Sequence, residues 1–332
     1  MSNGRPLLVL DSMKGSIQCV HSPDNQGHMT HTRRTARRVA ICAFASILTV
    51  AAVLRAQTVQ QTATKGLLWK VQSPTGTSPV FMAGSVHALT ADVYPLNPAF
   101  EHAFDGAGTL VEEIDLGDLD PLSGGAVMLA KGLFDDGRTF DHAVSKETLD
   151  LVAARLNSIG VPVAMISQMK PWMVAMMLMA ADTQKAGFDP ALGLDKHFYD
   201  KATAAGKPVK GLETVEAQVD RLDRMPLALQ EQLLRSTIDD IDTGERELKR
   251  LVGAWRQGDA SALERILLAG FKGYPEAYAS LVVERNRNWL GQIDACLMQR
   301  SPCFVVVGAA HLVGPDGLVV LLQRKGYRVE QQ

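Results

Sequence analysis

Apolar and polar positions fall into three regimes along this chain. The stretches LLWKVQ (67–72) and PVFMAG (79–84) are short apolar runs separated by the turn formers SPTGTS, which predicts a β-hairpin running into a loop. Asn97 before Pro98 predicts a capped helix start, the helix continuing to about Ala107. TLVEEID (109–115) reads as a further strand. From about 120 to 298 apolar residues recur at spacings of three and four, which predicts amphipathic helices near 145–159, 171–186, 195–205, 225–241, 244–256 and 259–270, and a long one over 275–298. Met173, Met176, Met177 and Met179 read as ordinary core on one of them. VKGLET (209–214) interrupts the helices as a short strand and turn. The pattern then returns to β with CFVVVG (303–308), a loop, a helix over 315–325 ended by Gly326, and the strand YRVEQ. This order predicts an α/β fold in which two strand-rich βα halves at the chain ends form a central sheet, with a helical insertion or cap between them.

Composition narrows the class. With 332 residues, 46% hydrophobic and 21% charged, the chain is neither disordered, nor a coiled coil, nor a polytopic membrane protein. A net charge of −2 gives nucleic-acid binding no electrostatic support. Basic charge is concentrated in RRTARR (33–38), which precedes the uncharged run VAICAFASILTVAAVL (39–54). That run falls short of the roughly 20 apolar residues a membrane span takes. With small residues near Arg55-Ala56 it predicts a secretory signal cleaved after Ala56, the alternative being an uncleaved N-terminal anchor. Residues 1–28 are polar and mixed, and MTHTRRTARR begins at Met29 as a signal peptide would, so translation is expected to start there. Residues 57–332 are expected to form one domain, exported to the periplasm or beyond, with no stable membrane insertion after cleavage. Cys19 and Cys42 depart with the leader. Cys296 and Cys303 remain, seven positions apart across a Ser-Pro turn, and in an oxidising compartment they are expected to pair, the alternative being two thiols. Two cysteines alone do not make a zinc site.

The candidate chemistry lies in a repeated piece of local grammar. PVFMAG is followed by Ser85-Val86-His87, and CFVVVG by Ala309-Ala310-His311: an apolar strand, then Gly, two small residues and His. Each histidine is thereby presented from a loop at a strand's C-terminal end, where ligand sites of α/β sheets lie. If the strands are neighbours, the imidazoles converge. Converging imidazoles suit a metal, which also takes an anionic oxygen. TLVEEID supplies Glu112 on one face and Glu113 on the other, and alternation does not choose between them. On 275–298, Arg285 shares a helical stripe with Tyr278, Leu281, Val282, Trp289 and Ile293. An Arg so placed needs an anion, either Glu113 or Glu213 structurally or the oxyanion of a carbonyl substrate. A serine hydrolase is disfavoured, because there is no G-x-S-x-G elbow and Ser85 lies only two residues from His87.

These motifs resemble the TraB/GumN family, which includes the Tiki proteases and has distant structural relatives in the erythromycin-esterase and ChaN-like group. The matching residues are LLWKV (67–71), AGSVHAL (83–89), YPLNPAFEHAF (94–104), LVEEIDL (110–116), GLDKHF (193–198), GLETVEAQ (211–218), ERNRNWL (284–290) and VVVGAAHLVGPDGLVVLLQRKGYRV (305–329). The resemblance implies that the two Gly-x-x-His motifs and one Glu form the centre of a metal-dependent peptidase. It selects Glu113 over Glu112, and it puts Arg285 and Asn286 at the family's Arg-Asn position. The expectation is an exported hydrolase in which His87, Glu113 and His311 hold a divalent metal, manganese or cobalt before zinc, that activates water. Arg285, with Asn286, would stabilise the oxyanion. Glu213 and the unused member of Glu112 and Glu113 are candidate bases. The expected substrate is a peptide or a small carbonyl compound, chosen by the helical middle. Two rivals use the same cleft: a metal-free ester or amide hydrolase with one His as base, and a protein that binds a peptide or haem without turnover. No pattern speaks to oligomeric state. The exported protein is expected to begin at Gln57 when its N-terminus is read by mass spectrometry; retention of 33–56 would identify an anchor instead.

Overall fold

The computed structural model describes residues 65–119, 124–239 and 241–332; the expected signal segment and the expected start at Met29 lie outside them. A strand covered on both faces must be apolar at every position, and β5 (Cys303–Gly308) is, with all six residues buried. It lies in the middle of a six-stranded sheet of order β4-β3-β5-β2-β1-β6. Its neighbours are β2 (Val80–Ser85) and β3 (Thr109–Glu112), both parallel to it. β4 (Val209–Gly211) extends the parallel part beyond β3. β1 (Leu68–Gln72) forms the expected antiparallel hairpin with β2 and also pairs antiparallel with β6 (Arg328–Gln331). The predicted α/β fold, with strands from both chain ends in one sheet and helices between, is the one observed.

Local signals account for the helices. Asn97 accepts a hydrogen bond from Ala99 N at the start of α1 (Pro98–Asp105), and Pro98 occupies the first turn, where its missing N–H costs nothing. The helical middle comprises α2 (Gly124–Gly132), α3 (Lys146–Ser158), α4 (Pro171–Lys185), α5 (Leu194–Ala204), α6 (Val215–Asp223), α7 (Leu227–Asp239), α8 (Ile241–Arg256) and α9 (Ala260–Ala269). A turn at Pro275–Tyr278 and a π-helical stretch, Ala279–Val283, lead into α10 (Glu284–Leu297). α11 (Leu318–Arg324) stops before Gly326, as expected.

Buried side chains gather in three clusters. The largest surrounds the sheet; the second joins α3, α4 and α7 through Val152, Leu156, Leu178 and Leu234. The third, Ile114, Trp172, Val215 and Val219, lies where the chain leaves β3 beneath α4 and α6. Among the described residues no helix is long and apolar enough to cross a membrane.

Three expectations are corrected. Met176 and Met179 are 36% and 48% exposed, and Met173 and Met177 only half-buried, so the methionines are not simple core. α4 is apolar nearly all round its first three turns, so periodicity could not say which face is covered; that face carries Trp172, Ala175 and Leu178. The expected strand 109–115 ends at Glu112. The expected continuous helix over 275–298 is broken by the π stretch.

The disulfide Cys296–Cys303 ties the end of α10 to the start of β5. Closing so short a loop in the unfolded chain removes entropy worth about 2–3 kcal/mol. Cys296→Ala is therefore expected to lower the unfolding free energy of the oxidised protein by about that amount in urea titration.

Candidate functional site

The parallel register sets Ser85 beside Gly308, so the two Gly-x-x-His motifs leave adjacent strands at the same edge. Gly308 is the pivot. A Cβ there would stand 3.1 Å from Glu113 Oε1, 3.4 Å from His87 Nε2 and 3.7 Å from His311 Cδ2. The two imidazoles and one carboxylate thus face a single point, in a space that a larger residue would fill. Behind His87, α5 begins so close that a Cβ on Gly193 would meet His87 O at 2.4 Å. This close approach brings Asp195 Oδ1 to 3.3 Å from His87 Nδ1, and Ser85 Oγ donates to the same oxygen at 2.5 Å.

Arg285 holds the buried half together. Its Nε donates to Glu213 Oε1 at 2.9 Å, Nη2 to Glu113 Oε2 at 2.5 Å, and Nη1 to Leu281 O at 3.1 Å. Nη1 also lies 2.9 Å from His311 Nε2. Asn286 fixes the tautomer of that histidine. Its Nδ2 donates to the carbonyls of His311 and Asp316, so its Oδ1 faces His311 Nδ1, at 2.7 Å, as an acceptor. His311 therefore carries its proton on Nδ1 and accepts from Arg285 at Nε2. Trp289 packs against both, with its ring 4.7 Å from the guanidinium carbon and 4.6 Å from the imidazole. The cluster opens on a cavity of about 780 Å³.

A sequence profile of the TraB/PrgY/gumN family matches residues 67–331, a span that contains every group in this cluster. The chain belongs to that family. Protein YbaP of Escherichia coli (strain K12) and YbaP of Shigella flexneri, both described as uncharacterized, are each 26% identical over 246 residues, covering 73% of this chain and 87% of YbaP. No solved structure gives a match. Within this family member, His87, Glu113, Arg285, Asn286 and His311 all meet at one site, as does Glu213. The alternatives for Arg285 resolve into a joint answer, since both Glu113 and Glu213 hold it.

Electrostatics separates the titratable groups. For His311, burial lowers the pKa, Arg285 and His87 add to this, and Glu113 opposes; the result is about 4, a neutral ring. For Glu113, burial raises the pKa, but the neighbouring His311, Arg285 and His87 and the Gly308 N–H bond outweigh it and hold the group at about 2. His87 differs. Lost hydration in the concave site lowers its pKa, yet the bond and charge of Asp195, with Glu113 behind, carry it up to about 9. It is also the accessible member, with 65% of its side chain open. Glu112 is the opposite of Glu113: it is 2% exposed, neither oxygen has a hydrogen-bond partner, and burial, with the charges of Asp195, Asp115 and Asp200, pushes it up to about 9.

The expected metal set is incomplete as arranged. The lone pair of His311 Nε2 is taken by Arg285 and Nδ1 is protonated, so only His87 Nε2 and Glu113 Oε1 present donors to the shared point. Catalytic metal sites use three protein ligands. Asp195 was missed as a partner of His87. GLDKHF entered only as part of the resemblance, and an Asp in the first turn of a helix is commonplace, because it complements the helix dipole.

Glu112 supplies a stability test. Its folded pKa lies above the ordinary carboxyl value, so between the two the folded state keeps a proton that the unfolded chain releases, and stability falls as pH rises. Glu112→Gln removes this decline. Its urea midpoint is expected to exceed that of the parent at about pH 8, the gain shrinking toward about pH 5; a midpoint difference independent of pH would contradict the assignment.

Proposed function

We propose that this family member is an exported hydrolase of acyl carbonyl compounds, peptide, amide or ester, with His87 as general base. The observation that carries the reading is that His87 alone among the clustered imidazoles has an uncommitted nitrogen, Nε2, facing the point beside Gly308, while Nδ1 faces Asp195. This is the base-plus-orienter arrangement of acyl-transfer sites. The disulfide supports an oxidising compartment, and hence export.

In the proposed reaction neutral His87 takes a proton from water at Nε2 as the water oxygen attacks the carbonyl carbon. Asp195 accepts from Nδ1–H and stabilises the imidazolium so formed. The same environment that raises the His87 pKa favours this charged state. The imidazolium returns the proton to the departing oxygen or nitrogen, the bond from the acyl carbon to it breaks, and a carboxylic acid and an alcohol or amine leave. Arg285 is not positioned to bind the oxyanion as expected from sequence, because each of its three nitrogens already has a partner. Its part is to hold Glu113 and His311 in place, and Asn286 orients His311.

A metal-dependent version of the reaction is the second reading, favoured by the convergence of His87, Glu113 and His311 on one point. It requires Arg285 to give up His311 Nε2. The two readings part under chelation. The purified protein is expected to retain hydrolysis of activated esters with excess EDTA and to hold no stoichiometric metal by mass spectrometry; loss of activity restored by manganese or cobalt would decide for the metal.

The base must be neutral, so kcat/KM is expected to climb with pH toward a limb near about 9. Asp195→Asn removes the largest raising influence and is expected to move that limb to lower pH while reducing the maximal rate; an unmoved limb would exclude His87 as the titrating base.

A further inference from the structure

The cavity has two unlike flanks. One is the polar cluster of His87, Glu113 and Arg285. The other is a wall made by Ile114, Leu119, Met128, Met176, Val219 and Leu222. Ile114, Met128, Val219 and Leu222 belong to the third hydrophobic cluster, and beside them Leu119 and Met176 stay 43% and 36% exposed. Water against so much apolar surface costs free energy that an apolar ligand would recover. Methionine side chains bend to follow a flexible chain.

The chemistry of the wall selects among apolar ligands. Met128, Met176, Val219 and Leu222 stand on α2, α4 and α6, and helix backbone groups bond one another. They leave no ladder for a peptide backbone. The nearby polar side chains are largely committed: Gln218 Nε2 donates to Glu113 Oε2 at 3.2 Å, Arg221 Nη1 donates to Ser280 O and Glu284 at 3.1 Å each, and Arg221 Nε is covered by protein atoms. A peptide laid along this flank would bury unpaired amides, which is costly. A hydrocarbon chain would bury none. From this we infer that the substrate is a fatty acyl ester, thioester or amide, its carbonyl beside His87 and its unbranched chain along the wall. The inference rests on the hydrolase reading for the reaction and on the wall for the chain.

Two measurements on the full-length protein separate these. Across 4-nitrophenyl esters from acetate to decanoate, kcat/KM is expected to rise about fourfold per added CH₂ over the first several, equivalent to about 0.8 kcal/mol each. In Met176→Asp and Leu222→Asp the decanoate-to-acetate ratio is expected to fall by roughly tenfold or more. Calorimetry with sodium decanoate gives a readout without turnover: decanoate is expected to bind at least roughly tenfold tighter than butyrate. Decanoate binding lost in Met176→Asp, with no ester cleaved, would uphold the chain site and overturn the hydrolase reading. Esters cleaved at equal kcat/KM whatever their length, or an end-blocked apolar peptide binding tighter than decanoate, would overturn the acyl-chain inference and leave the hydrolase reading standing.

Discussion

A guanidinium buried in the protein interior sets the terms for everything around it. Arg285 is 6% exposed, and a charge so placed is tolerable only when it is neutralised and its donors are satisfied. Two carboxylates answer its charge, and a carbonyl and an imidazole lone pair take what remains. Because Glu113 comes from the end of β3, Glu213 from the turn after β4 and His311 from the loop after β5, one side chain fixes the relative position of three neighbouring strand ends. Removing it would leave two buried anions unpaired as well as three loops untied.

The break in the helix before Arg285 belongs to the same arrangement. A regular α-helix would tie the Leu281 carbonyl to the N–H of residue 285. The π stretch alters that pattern just upstream, and Arg285 Nη1 donates to the same carbonyl. Helical irregularity is thus placed where a side chain can use it. Trp289 one turn on covers the guanidinium and His311 together, so packing and polar contacts reinforce one geometry.

Most of the fold could be read from the chain because its signals were local. Asn97-Pro98, the hairpin around SPTGTS and the wholly apolar CFVVVG state their structures within a few residues. The site was legible to the extent that a pattern repeated itself, as in Gly84 to His87 and Gly308 to His311. What escaped depended on long-range packing. Periodicity could not tell the covered face of α4, because nearly every position there is apolar. By strand alternation the adjacent carboxylates at the end of β3 looked equivalent, yet one meets Arg285 and the other is buried away from any cation, a difference fixed by a residue about 170 positions away. Asp195 looked like an ordinary helix-start residue until α5 was seen to abut the His87 loop. The partners of Arg285 were hidden for a related reason, since a sequence shows that an Arg needs a partner but not how many it finds.

The position of β5 has a consequence for biogenesis. It is the fifth strand made yet it lies between the second and third, flanked on both sides by partners synthesised some two hundred residues earlier. Until it emerges, β2 and β3 have no direct hydrogen bonds to each other, and the pocket lacks both Gly308 and its inner histidine. Such non-local pairing folds slowly, because the chain must close a long loop before the contact rewards it. A polypeptide still on the ribosome without β5 therefore carries no assembled centre. Whatever chemistry the centre performs stays latent until β5 and the loop that follows it have been made.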